Sequence, residues 1–503
     1  MGDKNMKDSI NPATLELNGS VQETSNEDLK SIFENARSAQ KIWQKLPIEE
    51  RARRVVEINK VMSTQYEEIS NLISSEVGKP PSEAFTNEVY GVIDATFHYY
   101  STVMETIGQK REIPLGFYES MEKKSYVIYK PLGVIAVIGP YNYPFAIPFM
   151  QIIQSLMAGN AVVFKPSSET ILTGKKIQDI INETKLPQYL VQTIFGSGSE
   201  LGNPLIDLAD KVIFTGSTVT GKRIMERAAH TLTPVDLELG GKSAMIVFPD
   251  VNMERALSAV RWGVFTNSGQ VCCSIKRLYL HEDIYDEFID KLVKLTKELK
   301  QGIPTERGVD VGAMINLEQL ELVDEMVQTG KNEGAKILIG GRRNPNLKGY
   351  FYEPTIIGNA TNDMEIVQKE IFGPVLVVIK FSNKEEVIDM VNDNPYGLTS
   401  TVWTENIEFG KRIAEEINTG TVMINEVVYT FALAATPWGG TKESGIGRTH
   451  GREGFLEVVR PLHINVDRSH ENDPWWFPYD EDALDVVENF KLIAKSLIVK
   501  DDE

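Results

Sequence analysis

From about residue 124 the chain repeats one pattern: a short run of consecutive apolar residues, a turn, then a helix-spaced segment. VIAVIG (134–139) is apolar throughout and predicts a strand buried on both faces. AVVFKPS (161–167) repeats that form, with a helix predicted to about residue 185. VQTIFG (191–196), KVIFTGS (211–217) and SAMIVF (243–248) predict three more strands. SYVIYK (125–130) alternates instead, as a strand exposed on one face does. Strand–helix alternation of this kind predicts an α/β fold with a parallel, doubly wound sheet. A second series follows. A helix around 282–300 carries Ile284, Phe288, Leu292, Leu295 and Leu299, and strands are predicted at PVLVVIKF (374–381) and GTVMIN (420–425).

The part before this series reads as helices. Ser25-Asn26-Glu27-Asp28 resembles a capping box, with Asp in place of Glu or Gln. Leu29, Ile32, Phe33, Ala36 and Trp43 follow at helical spacing. Pro47 opens a second helix, and Gly78-Lys79-Pro80-Pro81 closes a third. After about 470 the character changes. PWWFPY (474–479) leads into an acidic stretch and an amphipathic helix with Phe490, Leu492, Ile493 and Leu497.

Composition narrows the function classes. A chain of 503 residues suggests about three structural units, at roughly 150 residues each. A formal net charge of −19 repels phosphate backbones and anionic lipid, which argues against nucleic-acid and membrane partners. The two cysteines, Cys272 and Cys273, are adjacent, so no disulfide framework is available and a cytoplasmic location is expected. The first residues lack the apolar core of a signal peptide and the pattern for myristoylation. No charge occurs between Lys130 and Lys165, a length that could cross a bilayer. Pro140, Pro144, Pro148, Asn142, Gln151, Gln154 and Asn160 interrupt it, which predicts a buried strand, a turn and a buried helix.

Several residues could carry chemistry. Cys272 lies in FTNSGQVCCSIKR (265–277), just after a Gly269 that permits a tight turn. Its thiol, with an ordinary pKa of about 8.5, is a nucleophile once deprotonated; a buried structural cysteine is the competing reading. Glu238, in LELGGK (237–242), is a carboxylate among apolar and glycine neighbours. Burial would raise its pKa toward the range of a general base; a solvent-facing strand residue is the alternative. Asn142, in PYNYPF (140–145), follows a predicted buried strand, where doubly wound sheets place ligands. Its amide could stabilise an oxyanion or simply fill a turn. FTGSTVTGK (214–222) links a strand to a helix, though Gly216 and Gly221 match neither the dinucleotide fingerprint nor the P-loop. Such a turn still offers amides to a pyrophosphate. Lys165 in FKPSSE and Glu370 in KEIFGP could hold ribose or phosphate, or be solvated loop charges. No metal site is predicted.

Taken in order, PYNYPF, KPSSE, FTGSTVTG, LELGGK, GQVCC, EIFGP, NPYGL (394–398) and PWGGTKESGIGR (437–448) closely resemble the motif series of the aldehyde dehydrogenase superfamily. The resemblance runs from INPAT (10–14) to about 465. It implies an NAD(P)-dependent enzyme, not CoA-acylating, that oxidises an aldehyde to an acid through a thioester on Cys272. Cys272 would be the nucleophile and Cys273 a neighbour. Asn142 and the Cys272 amide would form the oxyanion hole, and Glu238 would activate water. Lys165, Ser168, Gly216, Ser217 and Gly221 would contact the adenosine and phosphate side of the dinucleotide. Leu239, Glu370 and Phe372 would contact the nicotinamide side, with Ile138 and Pro140 also in the cofactor site.

The resemblance further implies a Rossmann-like cofactor domain (1–113 and 132–240), a second α/β catalytic domain (241–434) and a small β oligomerisation arm (114–131 and 450–469). A C-terminal tail (470–503) extends past the common core. A homodimer or homotetramer is expected. Two departures from the family pattern stand out. Ser168 occupies the place where many NAD-preferring relatives carry Glu. A hydroxyl does not repel a 2′-phosphate, so NADP is expected to be accepted alongside NAD, with Glu169 as a carboxylate that could swing in. The family's opening strands before Asn11-Pro12 are expected to be largely absent. Tyr143, Ile147 and Met150 are placed to line an aldehyde tunnel and favour a medium or aromatic aldehyde, while the SIKR run is similar to members acting on semialdehydes or glyceraldehyde-type substrates. A CoA-acylating enzyme, a non-catalytic structural member and a membrane-associated protein using the aromatic tail are the alternatives.

Overall fold

The structure is a computed structural model, and it describes residues 6–497 apart from 474 and 480. The chain divides into two compact units. One runs up to Gly108 and over Lys130–Arg460; the other comprises Gln109–Tyr129 and the residues from Pro461 onward.

The larger unit is built on two α/β sheets. The first has six strands in the spatial order Gly445–Ile446, Val235–Glu238, Lys211–Thr215, Val134–Ile138, Ala161–Lys165, Val191–Thr193. All neighbours are parallel except the edge pair of Gly445–Ile446 with Val235–Glu238. From Val134–Ile138 the chain lays its next strands to one side, then crosses to place Lys211–Thr215 on the other. That reversal opens a crevice at the C-terminal ends of Val134–Ile138 and Lys211–Thr215. The second sheet has seven strands, with Ala244–Val247 between Arg277–His281 and Thr399–Trp403. The α/β, doubly wound reading therefore holds.

The charge-free stretch resolves into the strand Val134–Ile138, a turn, the buried helix Ala146–Ala158 and the strand Ala161–Lys165. Among the described residues no helix is long and apolar enough to cross a membrane. Ser25 caps the helix Asn26–Trp43, accepting from Asp28 N at 3.2 Å. The Asp28 carboxylate receives the Ser25 hydroxyl at 2.7 Å instead of reaching back to the backbone.

Two expectations are corrected. The chain opens on an antiparallel hairpin of Met6–Ile10 with Leu17–Gln22, so strands do precede and follow Asn11-Pro12. They escaped detection because only Ser9 and Val21 on them are buried, leaving no apolar alternation. The helix Gly451–Glu457 groups with the larger unit rather than with an arm spanning 450–469. Phe455 is buried there, Asn160 Nδ2 donates to Val458 O at 2.8 Å, and Lys211 pairs with Glu457.

In the smaller unit, Arg111–Ile113 pairs with Lys123–Pro131, which in turn lies beside Val459–Asp467. Lys123 bridges Asp467 and Asp473, and Ser125 donates to Asn465 Oδ1 at 2.7 Å. The predicted C-terminal helix is present as Glu481–Ser496, with Phe490 edge-on to Phe117. Pro474, the first residue of the PWWFPY run, lies outside the described residues.

Candidate active site

The loop that presents Cys272 is built from three successive residues in left-handed conformation: Asn267 (φ 50°), Ser268 (φ 54°) and Gly269 (φ 70°). Two non-glycine residues in this region are costly, so other contacts must hold them. Asn267 N donates to Glu83 at 2.8 Å, and Asn267 Nδ2 donates to Asn142 O and Gln270 O at 3.0 and 3.1 Å. Ser268 Oγ donates to Gly312 O at 3.0 Å. At Gly269 a Cβ would lie 2.1 Å from Gly373 O, so this position also needs glycine for space. The buried Lys276 clamps the turn, donating to Gly269 O at 2.7 Å and Gly373 O at 2.6 Å. Burial pushes its pKa down to about 7.

The two thiols differ in exposure, although both line the first cavity. Cys273 is buried, with its Sγ 3.7 Å from Val428 O. Cys272 is partly exposed and lines two cavities. Its thiol is held well above the ordinary range first by its contact with the Cys273 side chain, then by burial and by the charges of Cys273 and Glu370.

Glu238 ends the strand Val235–Glu238 and lines the same two cavities. Its main chain is fixed on both sides: Gly216 N donates to Glu238 O at 3.0 Å, and Leu239 N to Ser444 O at 2.9 Å. Burial pushes its carboxyl well above the usual range. The charges of Cys272 and Asp236 push the same way, while Arg448 and Trp438 oppose them.

Asn142 lies in the turn after Val134–Ile138, at the crevice. Its Nδ2 donates to Gln270 O at 3.0 Å, which leaves one amide hydrogen for a ligand. Its carbonyl accepts from Lys79 Nζ at 2.6 Å. Lys79 in turn pairs with Glu88 at 2.7 Å, both fully buried. Glu88 also receives Phe145 N and Ala146 N at the start of the next helix. The sequence signalled Lys79 only as part of a helix terminator and did not signal Glu88 at all.

The two cavities meet at Thr215, Ile147, Glu238, Leu239 and Cys272. The first continues past Tyr143, Trp262, Tyr429, Phe431 and Trp438, so aromatic rings form part of its wall. Met150, expected in this tunnel, does not line it; the side chain is buried and packs toward Gly91. The second cavity follows the sheet crevice. Ile138, Pro140, Asn142, Lys165 and Ser168 line one stretch of it. Gly216, Ser217, Leu239, Glu370 and Phe372 line the rest. Gly221 does not line it: a Cβ there would stand 2.4 Å from Leu239, so this glycine lets the helix Thr218–Ala229 pack closely. Glu169 also stays out of the lining.

The second cavity suits a dinucleotide. Ser217 caps the helix Thr218–Ala229, placing a helix N-terminus on the cavity wall. Lys165 is buried, and among the described residues its Nζ donates only to Pro166 O at 3.3 Å. Burial lowers its pKa to about 8. An ammonium so poorly satisfied is completed by hydroxyl or phosphate oxygens. Glu370 accepts from Gly241 N at 2.9 Å, and burial raises its pKa. Among the described residues no group of three His, Cys, Asp or Glu is placed to hold a metal ion.

A sequence profile described as the aldehyde dehydrogenase family matches residues 1–464. The chain belongs to the aldehyde dehydrogenase family. This dehydrogenase is 38% identical over 480 residues to a chloroplastic aminoaldehyde dehydrogenase of Arabidopsis thaliana, covering 93% of this chain and 94% of that one. It is 36% identical to a chloroplastic betaine aldehyde dehydrogenase of Beta vulgaris, covering 94% and 95%. Among solved structures, an NAD+ complex of an aldehyde dehydrogenase from Bacillus cereus superposes with a TM-score of 0.88 at 33% identity, covering 92% and 94%. A betaine aldehyde dehydrogenase from Staphylococcus aureus in complex with NAD+ gives 0.89 at 32% identity, covering 95% of each chain. As a family member, the dehydrogenase is an oxidoreductase that converts an aldehyde to a carboxylic acid.

Proposed function

We propose that this enzyme works through a thioester on Cys272 that Glu238 helps water to cleave. The observation that carries this reading is the junction of the two cavities: Cys272 and Glu238 line both of them, while Cys273 lines only the first and is 2% exposed. The Cys272 sulfur attacks the aldehyde carbon to give a thiohemiacetal. The free Asn142 amide hydrogen and the Cys272 backbone amide stabilise the oxygen as it gains charge, an interaction worth roughly 3 kcal/mol at such sites. When bound, NAD(P)+ supplies the hydride acceptor that turns the thiohemiacetal into a thioester. Glu238 then takes a proton from the water that attacks the thioester, and the acid leaves.

Lys165, Ser168 and the Gly216–Ser217 turn would hold the adenosine and phosphate side of the dinucleotide. Leu239, Glu370 and Phe372 would hold the nicotinamide side. Ser168 supports use of NADP as well as NAD, because no carboxylate lines that stretch to repel a 2′-phosphate. The aromatic wall beyond Cys272, together with the aminoaldehyde and betaine aldehyde relatives, supports an aldehyde with an amino or trimethylammonium terminus. A neutral aromatic aldehyde is the second reading. It is favoured by Lys79, whose ammonium already stands 3.9 Å from the centre of the Tyr143 ring. Two adjacent free thiols suit a reducing compartment, and we place the enzyme in the cytoplasm as a homodimer or homotetramer.

The test is a single-turnover experiment. With aldehyde and NAD(P)+, Glu238→Gln should give one burst of reduced cofactor, stall, and retain an acyl group on Cys272 detectable by mass spectrometry. Cys272→Ser should give no burst, and added CoA should not accelerate the wild type. Sustained turnover by Cys272→Ser, or a requirement for CoA, overturns the reading.

A further inference from the structure

Each turnover leaves a proton on Glu238, which must go before the next water is activated. While acyl group and cofactor fill the two cavities, the way out lies on the other side of the residue. Two positions back on the same face of its strand stands Asp236, also buried. Lys211 Nζ lies 2.8 Å from Asp236 Oδ1 and 2.7 Å from Glu457 Oε2, and the Glu457 side chain is 36% exposed. One ammonium thus serves both carboxylates. A Cβ at Gly447 would stand 2.4 Å from Asp236 Oδ1, so glycine keeps this place clear. Arg448 bears on both Glu238 and Glu457. Three carboxylates and two cations thus run from the buried base to the surface, and the set becomes neutral on taking up one proton.

We propose that Asp236 and Glu457, bridged by Lys211, carry the proton of Glu238 to solvent. The proposal rests on Glu238 as the base. Attack by water forms a C–O bond and breaks the C–S bond. The electron pair stays on the Cys272 sulfur and the water proton goes to Glu238. Side chains two apart on a strand are separated by roughly 6–7 Å, a gap one water bridges. Asp236 accepts that proton as it hands its own to Glu457, which loses one to bulk water; nothing is oxidised or reduced. Burial holds Glu238 well above the carboxylate range, with Cys272 and Asp236 adding to it. Burial raises Asp236 to about 8, with Glu457 adding and Lys211 opposing. At Glu457 burial pushes upward, but Lys211, Asp236 and Arg448 together bring the group below its ordinary value.

The experiment uses the full-length enzyme with NAD(P)+ and excess aldehyde, in Asp236→Asn and in Glu457→Gln, whose half-exposed site tolerates the change if the first variant folds poorly. Acid quenching and mass spectrometry give the steady-state fraction acylated at Cys272. Imidazole serves as an external proton acceptor. Expected are a wild-type burst of reduced cofactor, a larger acylated fraction, and a kcat lowered on the order of tenfold that imidazole restores, short of the roughly hundredfold or more lost with the base itself. Glu457→Gln should shift the same readouts less. An unchanged kcat, or a fall that imidazole leaves untouched, overturns the relay. Absence of any acyl group on Cys272, in wild type as in the variants, overturns the thioester reading instead.

Discussion

At the residue scale, the surroundings of the proposed nucleophile and the proposed base both favour the protonated form. Contact with Cys273 and burial raise the Cys272 thiol, and burial, Cys272 and Asp236 raise the Glu238 carboxyl. In the proposed mechanism each works only after losing its proton, so activity should rise with pH, and do so above the range where ordinary carboxylates titrate. The limbs separate by kinetic parameter. The kcat/KM profile reports the free enzyme, and with it the thiol; kcat reports the hydrolytic step where that step limits turnover. In Glu238→Gln the kcat limb should flatten while the rising kcat/KM limb remains. A flat wild-type profile from acid to alkaline pH removes the argument. Ser168 gives a second prediction at this scale. Ser168→Glu puts a carboxylate beside Lys165, where it repels a 2′-phosphate and accepts from ribose hydroxyls. The ratio of kcat/KM for NADP to that for NAD should fall by about tenfold or more, since a charge contact is worth roughly 1.5–3 kcal/mol. An unchanged ratio means the 2′ position is read elsewhere.

At the scale of elements, the site depends on how separate segments are tied together. Lys79 follows the helix Ile58–Val77, Glu88 lies in the segment Phe85–Tyr90, and Asn142 is in a turn of the first sheet. The Lys79–Glu88 pair joins all three, and it is fully buried. Removing one partner of such a pair leaves an uncompensated charge. Lys79→Met should therefore cost about 3–5 kcal/mol, read as a lower denaturant midpoint at unchanged slope. It should also lower kcat/KM, because the carbonyl of Asn142 loses its anchor. A variant of wild-type stability shows that the pair is not the link. The same buried polar contacts explain what the sequence hid. Continuous apolar strands such as Val134–Ile138 and Ala161–Lys165 were legible. Val235–Glu238 was not, because Asp236 and Glu238 break its pattern; nor was Arg277–His281, where Arg277 is buried and donates to Lys242 O at 2.8 Å. A polar residue reads as exposed until its partner is known, and the partner lies far along the chain. The chemistry was easier to read because Asn142, Glu238 and Cys272 sit in short ordered motifs. Gly221 and Met150 were misplaced for a different reason: helix packing decides which neighbour of a motif reaches a cavity.

At the scale of the whole molecule, the family profile stops at residue 464, yet the chain continues through an aromatic run and the helix Glu481–Ser496. Within the smaller unit, Trp475 meets Tyr118 and Phe490 meets Phe117 edge to face. Phe477 and Tyr479 remain 80% and 69% exposed, and Leu484 and Leu492 of the helix are exposed as well. Apolar surface of this kind marks a contact. A lipid surface is disfavoured by charge, because Glu481, Asp485 and Glu488 lie on the same helix and the chain as a whole carries −19. A second copy of the chain is the better occupant, with its own apolar side chains to offer. Sedimentation of the full chain should therefore give a dimer or tetramer, and deletion of residues 470–503 should lower the assembly state. The single-turnover burst should survive the deletion, since every residue lining the two cavities at Cys272 belongs to the larger unit. An assembly state unchanged by the deletion, with loss of binding to phosphatidylserine vesicles, reverses this assignment and makes the tail a membrane contact.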